Sequence, residues 1–167
     1  MIATAPGPVA AAVSSLNLVF QSKVSKQSRP ALEELMFFNP DQYRVRDGIV
    51  SALHKFGHPR IEENEQGISI RVADMEAQAL FAFDRDRRGE DPIGVVVFIR
   101  TSPVEIAIMH IAVHPDYTWQ GRRRGLGLAI MLIEKVKEIA RRIVGIEQIL
   151  FWYRNDVVIR LHDPAGR

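Results

Sequence analysis

Cysteine is absent from the 167 residues, which removes disulfides, Cys-ligated zinc, iron–sulfur clusters and a thiol nucleophile in one step. Charge of either sign is not in excess: 22 Lys and Arg stand against 20 Asp and Glu, a net charge of +2. That balance does not describe a polybasic nucleic-acid binder, although a sequence pI near 9.1 tolerates acidic ligands. No run approaches the roughly 20 uninterrupted apolar residues of a membrane span. The N-terminal stretch "MIATAPGPVAAAVSS" lacks the basic start of a signal peptide, and Pro6-Gly7-Pro8 interrupts its apolar run. These absences lead to an expected cytoplasmic protein with no membrane partner and no metal, whose chemistry comes from oxygen, nitrogen and backbone groups.

What is there is a chain of 47% hydrophobic composition, long enough to bury roughly two thirds of its unfolded surface in one core. Residues 1–30 read as a mobile or irregular arm, ending in the polar, basic stretch "QSKVSKQSRP". Residues 31–167 read as a single domain. "PALEELMFFN" and "NPDQYRVRDGIVSALHKFG" carry helical periodicity, the first with Pro30 at a helix start and the second ended by Gly57 and Pro59. The period then changes to two. "GISIRVA", "AQALFAFDRD", "IGVVVFIR" and "VEIAIMHIAVHP" are expected strands. From Leu126 the helical period returns, with Leu126, Ala129, Ile130, Ile133, Val136, Ile139, Ala140 and Ile143 on one face. "QILFWYR" reads as a buried strand, and "NDVVIRLHDPAG" as a short helix cut by Pro164. The element order implies a mixed α/β (α+β) domain: antiparallel strands leading into a βαβ unit, with added N-terminal helices.

Within that unit, "GRRRGLG" stands at the start of the long helix. Unpaired N–H groups and the positive end of the helix dipole converge there, which makes the place an anion site. Gly125 and Gly127 let the backbone approach an oxygen-rich ligand, and the arginines add charge that can pair with phosphate. The alternative is a solvated arginine loop. The pattern lacks the Gly-Lys-Ser/Thr of a Walker loop and the third glycine of a dinucleotide fingerprint.

Arg122-Arg123-Arg124-Gly125-Leu126-Gly127 resembles the Arg/Gln-x-x-Gly-x-Gly/Ala signature of the GNAT superfamily of acyl-CoA-dependent N-acyltransferases. "HIAVHPDY" is similar to the strand end that precedes it in that family, and "NDVVIRLHDPAGR" to its C-terminal "N-x-x-A-x-x-L-Y-x-x-x-G-F". The resemblance implies a central twisted sheet of antiparallel strands, a strand that splays from its neighbour, and a central helix after it. It further implies pantetheine contacts on the backbone of Ile111, Ala112 and Val113, with an oxyanion-stabilising N–H near Val113. The pyrophosphate would lie on Arg122, Arg123, Arg124, Gly125, Leu126 and Gly127, and Asn155 would be a further cofactor contact. Acetyl-CoA is the implied co-substrate and a primary amine the acceptor, attacking the thioester directly.

For the proton transfers the resemblance points to Glu105 as base and to His162 as acid where many members have Tyr. By simple strand alternation Glu105 shares a face with Ala107, Met109, Ile111 and Val113, and its other reading is a strand-end carboxylate in solvent. His110 faces the opposite way and reads first as a core histidine. Two further strands end the family's sheet, and this sequence stops before them. "QILFWYR" is therefore expected to offer a bare edge and to drive homo-oligomer formation. The alternative function is a degenerate GNAT-like domain that binds acyl-CoA or a protein partner without turnover. Nucleic acid is not expected as a partner, because helical phasing separates Arg122–Arg124 from Arg141 and Arg142 and no aromatics are interleaved.

Overall fold

Three consecutive valines, Val95, Val96 and Val97, are fully buried, and a strand with both faces covered must lie in the middle of a sheet. In the computed structural model, which describes residues 17–40, 42, 46–118, 121 and 127–162, they belong to β5, Gly94–Ser102. Around it the chain runs β1 (Leu18–Gln21), α1 (Arg29–Phe37), α2 (Arg46–Phe56), β2 (Pro59–Asn64), β3 (Gly67–Val72) and β4 (Met75–Asp84). After β5 come β6 (Glu105–Val113), α3 (Leu128–Arg142), β7 (Gln148–Phe151) and β8 (Arg154–Arg160). The eight strands form one sheet in the order β2-β3-β4-β5-β6-β7-β8, with β1 also on β4. Every pairing is antiparallel except β6 with β7, which is parallel and is joined by the α3 crossover.

Two apolar layers sandwich the sheet. On one face α3 buries Leu128, Leu132, Val136 and Ala140, an i,i+4 row, against Val96, Phe98, Ile106 and Ile108. On the other, Leu32, Leu35 and Met36 of α1 pack with Phe81, Val95, Val97, Met109 and Ala112. Each such side chain contributes about 1.5–3 kcal/mol by leaving water. The buried row of α3 is rotated from the expected one: Ile130 is 65% exposed, while Leu128 and Leu132 carry the contact.

Several expectations change. Leu18–Gln21, expected in an irregular arm, is a strand paired with Phe81–Asp84; residues 1–16 lie outside the described residues. "PRIEEN" forms β2 although only Ile61 of its residues is buried. The expected helix after Asn155 is instead β8, antiparallel to β7. Its run Val157-Val158-Ile159 is β-branched throughout, and such residues favour a pleated surface over a helix. β8 also covers the edge of Gln148–Phe151 expected to be bare, so oligomer formation loses the reason first given for it.

Candidate active site: a splayed strand beside a helix start

The groove arises from two irregularities in β6. Val97 pairs with His110 but Phe98 pairs with Ile108, so Met109 is an extra residue, a β-bulge. One inserted residue reverses side-chain alternation. Ile111 packs towards the α3 layer, whereas Met109 and Ala112 pack in the α1 layer. The single face expected for Glu105, Ala107, Met109, Ile111 and Val113 is therefore broken at the bulge. Pairing with β7 covers only Glu105–Ile108, and the last link there is the Trp152 N–H donating to the Ile108 carbonyl at 3.0 Å. Beyond it the strands part.

The parted edge presents backbone groups to the groove. The His114 N–H donates to the Ile93 carbonyl at 2.8 Å, and antiparallel alternation then turns the N–H and C=O of Val113 and Ile111 away from β5, towards the groove. Those of Ala112 are directed at β5. The Val113 carbonyl accepts from Asn39 Nδ2 at 2.6 Å, which anchors the end of α1 to the rim.

The opposite wall is the start of α3. Gly127 is its N-cap, with φ 56 and ψ 40, a left-handed conformation costing most other residues about 1–2 kcal/mol. Among the described residues a Cβ there would meet nothing nearer than Ile130 at 3.7 Å. The helix is seated by Gly94, where an added Cβ would already press on Leu128 and Leu132 at 3.2 Å each. Together Asn39, Gln42, His110–Val113, Tyr117, Gly127–Ile130 and Tyr153 enclose a groove of about 360 Å³.

Its titratable groups are shifted by burial. His110 is lowered from 6.5 to about 4, burial outweighing a hydrogen bond with the Met36 backbone, so its imidazole is neutral at pH 7. Gln42 Nε2 lies 3.2 Å from His110 Nε2 and also donates to the Met36 carbonyl. Burial likewise pushes Tyr153 up to about 12, against the opposing charge of Arg154, so its hydroxyl keeps its proton. Tyr117 donates to Asp84 Oδ2 at 2.6 Å beneath the groove.

The expected site residues divide into four groups. Ile111, Ala112, Val113 and Gly127 meet at this groove. Arg122, Arg123, Arg124, Gly125 and Leu126 lie outside the described residues. Asn155 stands second in β8, next to the Trp152–Tyr153 turn. Glu105 and His162 are not brought here. Glu105 is at the far end of β6, roughly 25 Å from Val113 at about 3.3 Å per residue, where it accepts from Gln148 Nε2 at 2.8 Å and Thr101 Oγ1 at 2.7 Å. His162 is exposed at that same end, just after Leu161 donates to the Glu147 carbonyl. Asn39 and Gln42 are lining residues that sequence reasoning passed over. His110, read first as a core histidine, and Tyr153, read as core and groove lining, both stand at the groove.

Sheet order, bulge, splay and crossover helix together define the GNAT fold. The chain belongs to the acetyltransferase (GNAT) family, whose model matches residues 51–166. Among solved structures it is similar to a protein of Desulfovibrio desulfuricans assigned as a GNAT-family acetyltransferase, at 19% identity and a TM-score of 0.43, over 80% of this chain and 72% of that one. A ribosomal-protein-alanine N-acetyltransferase of Brucella melitensis biovar Abortus 2308 matches at 15% identity and a TM-score of 0.37, over 82% and 80%. At those scores neither likeness bears on what the chain acts on. No curated protein matches.

Proposed function

We propose that the chain transfers an acetyl group from acetyl-CoA to a primary amine by direct attack. The observation that carries this is the groove in which the outward-turned backbone edge of Ile111 and Val113 meets the glycine start of α3. Its contents fit a phosphopantetheine arm: an extended edge for amide groups, and helix-start N–H groups at Gly127 for phosphate, with Arg122–Leu126 and Asn155 as further contacts. Bound acyl-CoA supplies an acyl group activated as a thioester. The Val113 N–H points to the edge where a carbonyl oxygen would gain charge, and a fixed donor there lowers the barrier.

Proton transfers fall to residues at the groove. Neutral His110 is a weak base, suited to take the proton of the strongly acidic ammonium formed on attack, so the acceptor must arrive as the free amine. The Tyr153 hydroxyl supplies a donor for the departing thiolate, the role first given to His162. We propose the cytoplasm as location.

Calorimetry with acetyl-CoA, followed by thiol release with amines, tests this reading. Gly127→Asp places a carboxylate among the helix-start N–H groups; losing one hydrogen bond to a charged phosphate, about 1.5–3 kcal/mol, weakens acetyl-CoA about tenfold to a hundredfold. Unchanged affinity would remove the helix start from the site. Tight binding without thiol release would favour the alternative of a non-catalytic acyl-CoA-binding domain, to which the remoteness of Glu105 and His162 lends support.

A further inference from the structure

Behind the groove lies a second cavity, of about 260 Å³. It shares Gln42, Ile49 and His110 with the groove and continues between α2 and the sheet. Its wall is built from Leu53 and Phe56 of α2, Val97 and Met109 of the sheet, and Trp152. Phe56 and Trp152 stack with centroids 3.4 Å apart and planes 12° from parallel. The bulge at Met109 opens this space, because it turns His110 to the junction. Gly48 holds α2 against the turn: an added Cβ would strike the Tyr153 carbonyl.

The chemistry of the wall restricts the occupant. Among the described lining residues the polar side chains are Gln42, His58, His110 and the Trp152 indole, none of them a carboxylate, and His110 is neutral. From these residues a second cationic group inside would gain no carboxylate for the water it loses. The Phe56 ring does not substitute for one, since Trp152 covers it and Lys55 Nζ already sits 5.0 Å from its centroid. An apolar body, by contrast, gains by leaving water. The volume lies just below the ~300 Å³ at which pockets begin to hold drug-sized ligands.

Resting on the proposed transfer to an amine, we propose that the acceptor is a small monoamine on an aliphatic or aromatic body, seated in this cavity with its nitrogen at His110. Attack forms the C–N bond of the amide and breaks the thioester C–S bond; the amine proton leaves by way of His110 to water, while Tyr153 gives its hydroxyl proton to the thiolate and takes one back from water.

The test is thiol release from acetyl-CoA with phenethylamine, hexylamine, spermidine, an aminoglycoside and a lysine-containing peptide. The monoamines should exceed the others at least tenfold in kcat/KM. Leu53→Trp, filling the cavity, should lower that value tenfold or more while the acetyl-CoA Kd stays within twofold. Leu53→Ala, enlarging it, should shift preference to a naphthyl-bearing amine, and serves should the tryptophan variant not fold. Preference for the polycations or the peptide, no use of the monoamines, or indifference to both Leu53 variants would overturn the inference. So would selective loss of octanoyl-CoA in Leu53→Trp, which would make the cavity an acyl-chain pocket. Absence of acetyl-CoA binding in the unaltered protein would instead overturn the transferase reading itself.

Discussion

His110 shows how one side chain joins site and stability. Burial lowers its pKa from 6.5 to about 4, so the native state disfavours its protonation while the unfolded chain does not. The unfolded state therefore binds more protons between those values, and stability is fully present above about pH 6.5 and lost as pH falls towards 4. The full difference corresponds to about 3 kcal/mol. Urea unfolding of the wild type and of His110→Gln should show the gap between them changing by up to that amount from pH 7 to pH 4. Parallel curves would mean that water reaches the native imidazole freely. In the proposed transfer the same neutrality implies that activity climbs as the acceptor ammonium loses its proton, with no added step at the usual histidine pKa.

At the scale of elements, periodicity reached far but not through irregularities. The central strands, α3 and the glycine-led helix start follow from alternation, from the 3.6-residue period and from Gly127, and they are where the sequence placed them. Met109 could not be read, since a bulge depends on which partner β5 offers across the sheet, and a strict period of two carried Glu105 to a face it does not share with Ile111 and Val113. β8 failed differently: its segment was read as a short helix ended by Pro164, although Val157-Val158-Ile159 favours a strand locally. Gln42 gave no signal, being placed by a connection rather than by an element.

Gly94 supplies the matching prediction. Because an added Cβ already touches Leu128 and Leu132, Gly94→Val should push the start of α3 off the sheet, at about 1–3 kcal/mol in stability. The same displacement should weaken acetyl-CoA binding more than tenfold by calorimetry. Lost stability at unchanged affinity would show that the groove does not depend on where α3 begins.

For the whole molecule, edges matter most. With β7 covered by β8, the strand order ends at β2 and β8, with β1 a further short edge on β4; β2 and β8 carry charges, among them Glu62 and Glu63 on β2 and Arg154 and Arg160 on β8, which discourage pairing with another sheet.

The lone parallel pair also has a kinetic consequence. Strands β2 to β6 are antiparallel neighbours in chain order, closed over short distances, whereas joining Glu105 to Gln148 brings together residues 43 apart. Contacts that close long loops form late in folding. The lips of the groove should thus come together after the folding barrier has been crossed, and a ligand bound between them holds only the finished state. In stopped-flow measurements saturating acetyl-CoA should slow unfolding and leave the refolding rate unchanged; faster refolding would mean that the groove is already formed at the barrier. The site would then be the last part of the molecule to assemble and the first to be lost, with acetyl-CoA setting how long the native state persists.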